Sequence, residues 1–294
     1  MQIHFSNDKI PEISFPVVTM GSFDGVHAGH RVIISRLNSL AKQVGGSSVL
    51  ITFHPHPRKV LYPDTAGRDL RLITNLEEKC RVLEETGLDH LLVLEFTKDF
   101  ALTTSMEFVE AYLVEKLHAH TIVVGFNHFF GHNKEGNFDS LYEVREKHGF
   151  RVEEIPVQEI QNETVSSTRI RKALSEGHIQ RANAYLEHHF IMQADLNQLT
   201  EESSLYRRPC YGARISDPNK LIPTYGSYAT SVLIKDASIK SLVRISASGI
   251  LLFPLAKNED LNDSRVFINF YKHLDKGELG QIEPDIGKVE ELIY

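Results

Sequence analysis

The sequence predicts an α/β fold, with an open parallel sheet and its helices up to residue 186 and a small antiparallel β-domain after it. Apolar, β-branched runs of strand length alternate with helix-length amphipathic stretches through the first part of the chain. One run, Val17–Met20, feeds through a glycine-containing turn straight into a helix, as parallel sheets require. Beyond His189 the pattern changes to serine-rich, β-prone runs divided by polar turns, the pattern of an antiparallel domain. The chain therefore divides into domains 1–186 and 187–294.

Taken in order, Met1–Phe15 is a lead-in with an edge strand at Gln2–Phe5. Val17–Met20 is a short buried strand, Gly21–Ala28 a turn, and Gly29 onward a helix whose apolar positions are Val32, Ile33, Leu37, Leu40 and Ala41. A helix start carries N–H groups without intrahelical partners and a partial positive charge, so it stabilises an anion. His27 and His30 flank Gly29, where the missing side chain lets a ligand approach the backbone. Their imidazoles can donate to phosphate oxygens. Asp24 stands too close to a polyphosphate to be its simple partner; it is a turn-former, an N-cap or part of a metal environment. Gly21, Gly25 and Gly29 recur at every fourth position, and neither G-x-x-x-x-G-K-[ST] nor G-x-G-x-x-G is present. Neither familiar phosphate loop applies.

Ser47–Phe53 is a second strand, ending in His54-Pro-His-Pro57. Prolines in alternate positions predict an extended segment without helix. His54 and His56 then project from a strand end, where ligands bind in open parallel sheets. A rigid surface loop is the alternative, and metal ligation is disfavoured because no third ligand has a defined spacing. Leu72–Gly87 is a capped helix with Thr74 or Asn75 as N-cap, Glu77 and Glu78 in the first turn and Gly87 at its end. Lys79 on it is expected to pair with a carboxylate at the helix surface, as scaffold. His90–Phe96 is a third strand and Ser105–Leu117 a helix opened by Ser105.

Thr121–Gly131 is a fourth strand running into a glycine-bounded aromatic turn. The Asn127 amide there can bond a phosphate, a ribose or a ring edge. Phe126 and Phe130 flank it and can face a planar ring, although aromatics at a strand end more often belong to the core. Arg151–Val157 is a fifth strand. Val165–Gly177 is a helix opened by the hydroxyls of Ser166, Ser167 and Thr168, with Arg169, Arg171 and Lys172 following. Arg169 and Arg171 lie on different sides of that helix. An ordinary N-cap with solvated arginines is the alternative. Gln180–His189 is a short helix closing the first domain. Strands are then predicted at Gly226–Ile234, Ile239–Ala247, Gly249–Leu255 and Arg265–Tyr271, with a last helix at Gly277–Leu292.

The net charge is −7 without a basic tract, which disfavours a nucleic-acid partner. Cys80 and Cys210 have no metal or redox spacing and point to reduced thiols in a cytoplasm. Met1–Met20 mixes Asp, Lys, Glu and Pro among apolar residues, unlike a signal peptide. No apolar span is long enough for a membrane, so neither a membrane nor a nucleic acid is an expected partner.

Gly21-Ser-Phe-Asp-Gly-Val-His-Ala-Gly-His30 resembles the G-x-F-D-G-x-H-x-G-H signature of nucleotidylyltransferases. Among these the resemblance is to prokaryotic FAD synthetases, the adenylyltransferase half of the bifunctional riboflavin kinase/FMN adenylyltransferases. Thr52-Phe-His-Pro-His-Pro57 is similar to that family's second segment, and the helix with Glu78 and Lys79 to its third. Val124-Gly-Phe-Asn-His-Phe-Phe-Gly131 resembles V-G-x-[DN]-x-x-F-G, with His128 and Phe129 as departures. Ser166-Ser-Thr-Arg-Ile-Arg171 resembles the closing S-S-T-x-I-R motif.

The resemblance implies a Rossmann-like nucleotidylyltransferase domain followed by a β-barrel, with ATP and FMN as substrates, Mg2+ as cofactor, and FAD and pyrophosphate as products. It implies catalytic roles for His27, His30, Ser167, Thr168 and Arg171. It places Gly21, Ser22, Phe23, Asp24, Gly25, Gly29, Asn127 and Ser166 on ATP, and Phe53, His54, Pro55, His56, Pro57, Phe126 and Phe130 on the flavin. In the second domain Pro223-Thr-Tyr-Gly-Ser-Tyr-Ala229 is similar to the kinase barrel's P-x-x-G-V-Y-A, and Arg265–Asp285 to its closing segment. No G-x-x-x-G-R-x-x-G-F-P-T-A-N follows Phe190, where Leu205–Arg214 is unrelated, and no E-x-H-x-x-D-F lies between Val243 and Asn269. A barrel without kinase activity is implied. The alternatives are a bifunctional enzyme that also phosphorylates riboflavin, a nucleotidylyltransferase for a pantetheine, nicotinamide or choline phosphate, and a non-catalytic flavin or nucleotide sensor.

Overall fold

A computed structural model describes residues 1–294 apart from 7, 9, 127, 157–158, 161–162, 201–202, 204–205, 207, 235–236, 257–260, 275–288, 290–291 and 293–294, and apart from the side chains of 159, 160, 163 and 164. The chain forms two compact units, one of residues 1–70 and 79–164, the other of 71–78 and 165–294. Residues 71–78, a short earlier segment, group with the second unit.

In the first unit the elements follow as β1 (Gln2–Phe5), β2 (Val17–Met20), α1 (Ala28–Val44), β3 (Ser48–His54), α2 (Pro57–Leu61), α3 (Leu76–Glu84), β4 (His90–Glu95), α4 (Ser105–Phe108), β5 (Thr121–Gly125), α5 (Phe138–His148) and β6 (Arg151–Ile155). A two-residue hairpin of β7 (Glu159–Ile160) and β8 (Glu163–Thr164) closes it. The first three residues of α3 belong to the second unit and the rest to the first. Strands β1 to β6 make one parallel sheet in the order β1-β4-β3-β2-β5-β6. Strands covered on both faces need continuous apolar runs, and β2 is buried throughout while β3 is buried over its first five residues. One face carries Val18, Met20, Val49, Ile51, Leu92, Leu94, Ile122 and Val124 against Phe108, Leu113, Leu141 and Phe150. Helix α1 buries Ile34, Leu37 and Ala41 and packs along β2, β3 and β5.

The order reverses at β2, whose successors β3 and β4 lie to one side and β5 and β6 to the other. Such a switch point opens a crevice at the carboxyl ends of the strands, where open sheets bind ligands. The turn after β2 starts there.

Two predicted elements differ. His54-Pro-His-Pro57 is extended at His54 and His56, but the His54–Pro55 peptide is cis, and Pro57 opens a helix, α2, with His56 as its N-cap. Proline is tolerated in the first helical turn because its missing N–H has no partner there anyway. The helix predicted over Ser105–Leu117 is capped by Thr104 and changes after Phe108 into wider, π-type turns over Val109–Lys116. Asn75 caps α3, its Oδ1 accepting from the Glu78 N–H at 2.8 Å while the Glu78 carboxylate accepts from the Asn75 N–H at 2.8 Å.

The second unit opens with α6 (Ser167–Ser175) and α7 (Ile179–Leu186). Strands β9 (Phe190–Gln198), β10 (Tyr211–Arg214), β11 (Gly226–Ile234), β12 (Ala237–Ser246), β13 (Gly249–Pro254) and β14 (Arg265–Leu274) close an antiparallel barrel in the order β10-β13-β12-β11-β14-β9. Closure leaves no edge open for pairing with another chain. Four of these strands follow from the sequence; β9 and β10 do not, because apolar and polar residues mix in β9 and β10 is only four residues long with a glycine inside it. The predicted last helix lies almost wholly outside the described residues.

Gly226, at the start of β11, has φ +150, and a side chain there would meet the His273 ring at 2.1 Å. That ring is also stacked on Tyr228, with centroids 4.7 Å apart. Gly226→Ala is therefore expected to destabilise the fold by about 1–3 kcal/mol from backbone strain alone, seen as a lower urea midpoint with unchanged slope.

Candidate active site

The turn after β2 has an unusual backbone. Gly21 has φ +159, Phe23 +46, Gly25 +86 and Val26 +43. Glycine accepts such values freely, but phenylalanine and above all a β-branched valine do not. The turn holds because it is packed: Phe23, Val26 and Asp24 are all buried, Asp24 at 2% exposure. The Gly21 N–H donates to the Ile51 carbonyl at 3.0 Å, tying the turn to β3.

Helix α1 begins one residue earlier than predicted, with His27 in extended conformation as its N-cap and no side-chain cap bond. Asp24 is therefore not the cap. The His27 and His30 rings stack 3.7 Å apart at 15°, and Phe23 leans on His30 at 4.5 Å. A side chain at Gly29 would come within 3.4 Å of the His27 ring. Glycine there is thus matched to the imidazole as well as to helix geometry. Burial, with His27 and Lys79 nearby, holds the His30 imidazole well below its usual range, so it is neutral at pH 7. Its Nδ1 is buried and has no hydrogen-bond partner among the described residues. Two aromatic nitrogen heterocycles at the N-terminus of a long helix, at a sheet's switch point, make an anion site with hydrogen-bond donors.

One residue of this site escaped the sequence reading. Lys79 does not lie on the helix surface; it is 6% exposed, and its Nζ donates to the Ser22 carbonyl at 2.6 Å and to Thr52 Oγ1 at 3.1 Å. Burial pulls the ammonium down to about 8, against the opposing pull of Asp24 and Cys80. The signal was its place on α3, three and four residues before the buried Val82 and Leu83.

The residues expected on the flavin are placed at the carboxyl ends of β3 and β5. Phe53 packs edge-on to Phe96 at 5.7 Å and near Phe100 at 6.0 Å, at the margin of the core. His54 ends β3, Pro55 follows, and His56 Nδ1 accepts from the Arg58 N–H at 3.2 Å just ahead of Pro57. Phe126 is 53% exposed. Phe130 instead packs 6.0 Å from Phe108. Asn127 lies outside the described residues. Beside it, burial takes the His128 imidazole down to about 4, so this departure from the motif is a neutral ring.

The other predicted group belongs to the second unit. Ser166 caps α6, its Oγ accepting from the Arg169 N–H at 3.4 Å. Ser167 is half-buried and Thr168 exposed, while Arg171 Nε donates to the Arg71 carbonyl at 2.7 Å.

A model of the FAD synthetase family matches residues 10–169. A bifunctional riboflavin kinase/FMN adenylyltransferase of Listeria monocytogenes is 31% identical over 213 residues, 72% of this chain and 66% of that protein. The chain thus spans just under two thirds of that relative's length. An FAD synthetase of the same organism is 36% identical over 174 residues, 58% of this chain and 68% of that protein. The crystal structure of a macrolide-efflux protein from Streptococcus pneumoniae superposes with a TM-score of 0.83 at 23% identity, covering 99% of this chain and 97% of that one, a likeness of fold. With the motif turn, the switch-point sheet and the match over residues 10–169 taken together, this chain belongs to the FAD synthetase family.

Proposed function

We propose that the chain is an FMN adenylyltransferase that moves AMP from ATP to the phosphate of FMN, giving FAD and pyrophosphate. The observation that carries this reading is the stacked His27–His30 pair at the N-terminus of α1. The attacking FMN phosphate is already ionised at neutral pH, so no strong general base is needed. The barrier lies in bringing two polyanions together and in charge developing at the α-phosphate and the departing pyrophosphate. In this reading the α1 N–H groups, Gly29 and the two histidines bind the ATP phosphates. His30, being neutral, offers one N–H without requiring a proton from solvent. Ser167, Thr168 and Arg171 bind the β and γ phosphates, and Ser166 is an ATP contact. Phe53, the His54–Pro57 segment, Phe126 and Phe130 form the flavin side, and Asn127 bonds the nucleotide.

Among the described residues no three His, Cys, Asp or Glu gather into a metal cage. Asp24 is the one carboxylate in the Gly21–His30 turn. A single carboxylate beside substrate phosphates is a common magnesium setting, so the residues fit a Mg2+ that arrives with ATP, with Asp24 its protein ligand. When bound, that ion screens charge on the triphosphate.

The second unit is proposed to be a barrel without riboflavin kinase activity, since Leu205–Arg214 replaces the kinase phosphate loop and contributes β10. No described helix is long and apolar enough to cross a membrane, and Cys80 and Cys210 stand as thiols, in keeping with a cytoplasmic enzyme. Incubation with ATP, magnesium and either FMN or riboflavin, followed by chromatography of the flavins, tests both halves. FAD from FMN and no product from riboflavin is expected. FMN or FAD from riboflavin overturns the silent barrel; no product from either overturns the adenylyltransferase.

A further inference from the structure

The Gly21–His30 turn contains positive φ at Phe23 and Val26, a conformation that non-glycine residues keep only when neighbours impose it. The charged group seen to reach the turn's own backbone from outside, beside the Ile51 carbonyl and the Thr52 hydroxyl, is the Lys79 ammonium. Its bond to the Ser22 carbonyl acts between Gly21 and Phe23, where the chain reverses, and its bond to Thr52 Oγ1 anchors the same point to β3. Thr52 Oγ1 itself donates to the Ser22 carbonyl at 3.3 Å, closing a three-membered network in which the Lys79 and Thr52 side chains are buried and Ser22 is half-buried. Lysine is rarely buried unless partners hold it, because taking an ammonium out of water is costly.

We infer that Lys79 is a positioning residue for the nucleotide site, its ammonium clamping Ser22 to β3 and so setting the path of the turn that presents His27 and His30. This inference rests on the adenylyltransferase reading for its kinetic consequences, but not for its structural ones. The charged and titratable groups around Lys79 are Asp24 from the turn, Cys80 from α3 and His30 from α1. The ammonium has lost about half of its protons near pH 8, and the clamp weakens through that range. Its folded-state value lies below the unfolded 10.5, so the folded chain binds fewer protons between those limits and gains stability as pH rises from 8 to 10.5. Below pH 8 the buried charge costs stability, which marks Lys79 as kept for its position.

Lys79→Met removes the charge at similar volume. Its kcat at pH 7 is expected to fall about 10–100-fold, the scale of a misplaced reacting group, with a smaller change in KM for ATP and an unfolding midpoint equal to or above wild type. Wild-type kcat is expected to decline above pH 8, whereas Lys79→Arg, which does not titrate there, is expected to recover part of the activity and lose that alkaline limb. The His30 imidazole, followed by NMR, is expected to titrate at higher pH in Lys79→Met because a neighbouring positive charge has gone. Lys79→Met with wild-type kcat and an unmoved His30 titration overturns the inference, as does an alkaline limb unchanged in Lys79→Arg. If wild type makes no FAD, the adenylyltransferase reading fails, and an unmoved His30 titration in Lys79→Met still overturns the placing of the ammonium beside the histidines.

Discussion

Replacing His27 and His30 together by alanine is expected to lower FAD formation about 10³-fold or more, while the unfolding midpoint stays close to wild type. Loss of one donor to developing transition-state charge commonly costs about 10²–10³ in turnover. The two rings stack at 3.7 Å, so they act as a unit and the single and double variants will not be additive. The stability side follows from what is lost. Alanine at His30 also removes a buried Nδ1 that has no partner among the described residues, which offsets the lost packing. Steady-state kinetics and thermal melts on the two single variants and the double variant measure both. A double variant with wild-type turnover would remove the histidines from the chemistry.

The largest stability effect is expected at Lys220, in the second unit. Its Nζ lies 2.6 Å from the Glu78 carboxylate, with both side chains fully buried. It also donates to the carbonyls of Ile73 at 2.5 Å and Ile191 at 2.7 Å, and stands 4.4 Å from the centre of the Phe190 ring. Lys220→Met leaves the Glu78 charge held only by neutral donors, among them the N–H groups of Gln193 and Asn75. Breaking one side of a buried pair costs about 3–5 kcal/mol. Burial already pushes Glu78 upward, and Lys220 is the chief force pulling it down. In the variant the folded-state value therefore rises further above the unfolded one. A carboxyl so raised binds more protons in the folded state, so the variant's stability falls as pH rises through that value. Urea melts should show a smaller deficit against wild type at pH 5 than at pH 8, and Lys220→Met with Glu78→Gln should recover part of it. A deficit that does not depend on pH would mean that lost packing, not the stranded carboxylate, sets the cost.

The sequence by itself determined the features that local physics controls. The β2–turn–α1 unit was legible because a buried run, glycines and helical periodicity all lie within Val17–Ala41. The helix starts near Asn75 and Ser166 were legible because a cap bonds within three residues, while the choice between Thr74 and Asn75, and among the hydroxyls of Ser166, Ser167 and Thr168, came from the structure. His27 and His30 were legible as a pair because residues three apart at a helix start share a face. Pro57 misled because the same ring that breaks a helix interior is welcome at its start. Tertiary structure alone decided the fates of Glu78 and Lys79. Adjacent opposite charges on a helix look like a solvated surface, yet i and i+1 point apart. Glu78 meets Lys220, 142 residues away, and Lys79 meets Ser22 and Thr52, 57 and 27 residues away. A buried charge is stable only where distant partners converge on it, and no local pattern records that convergence.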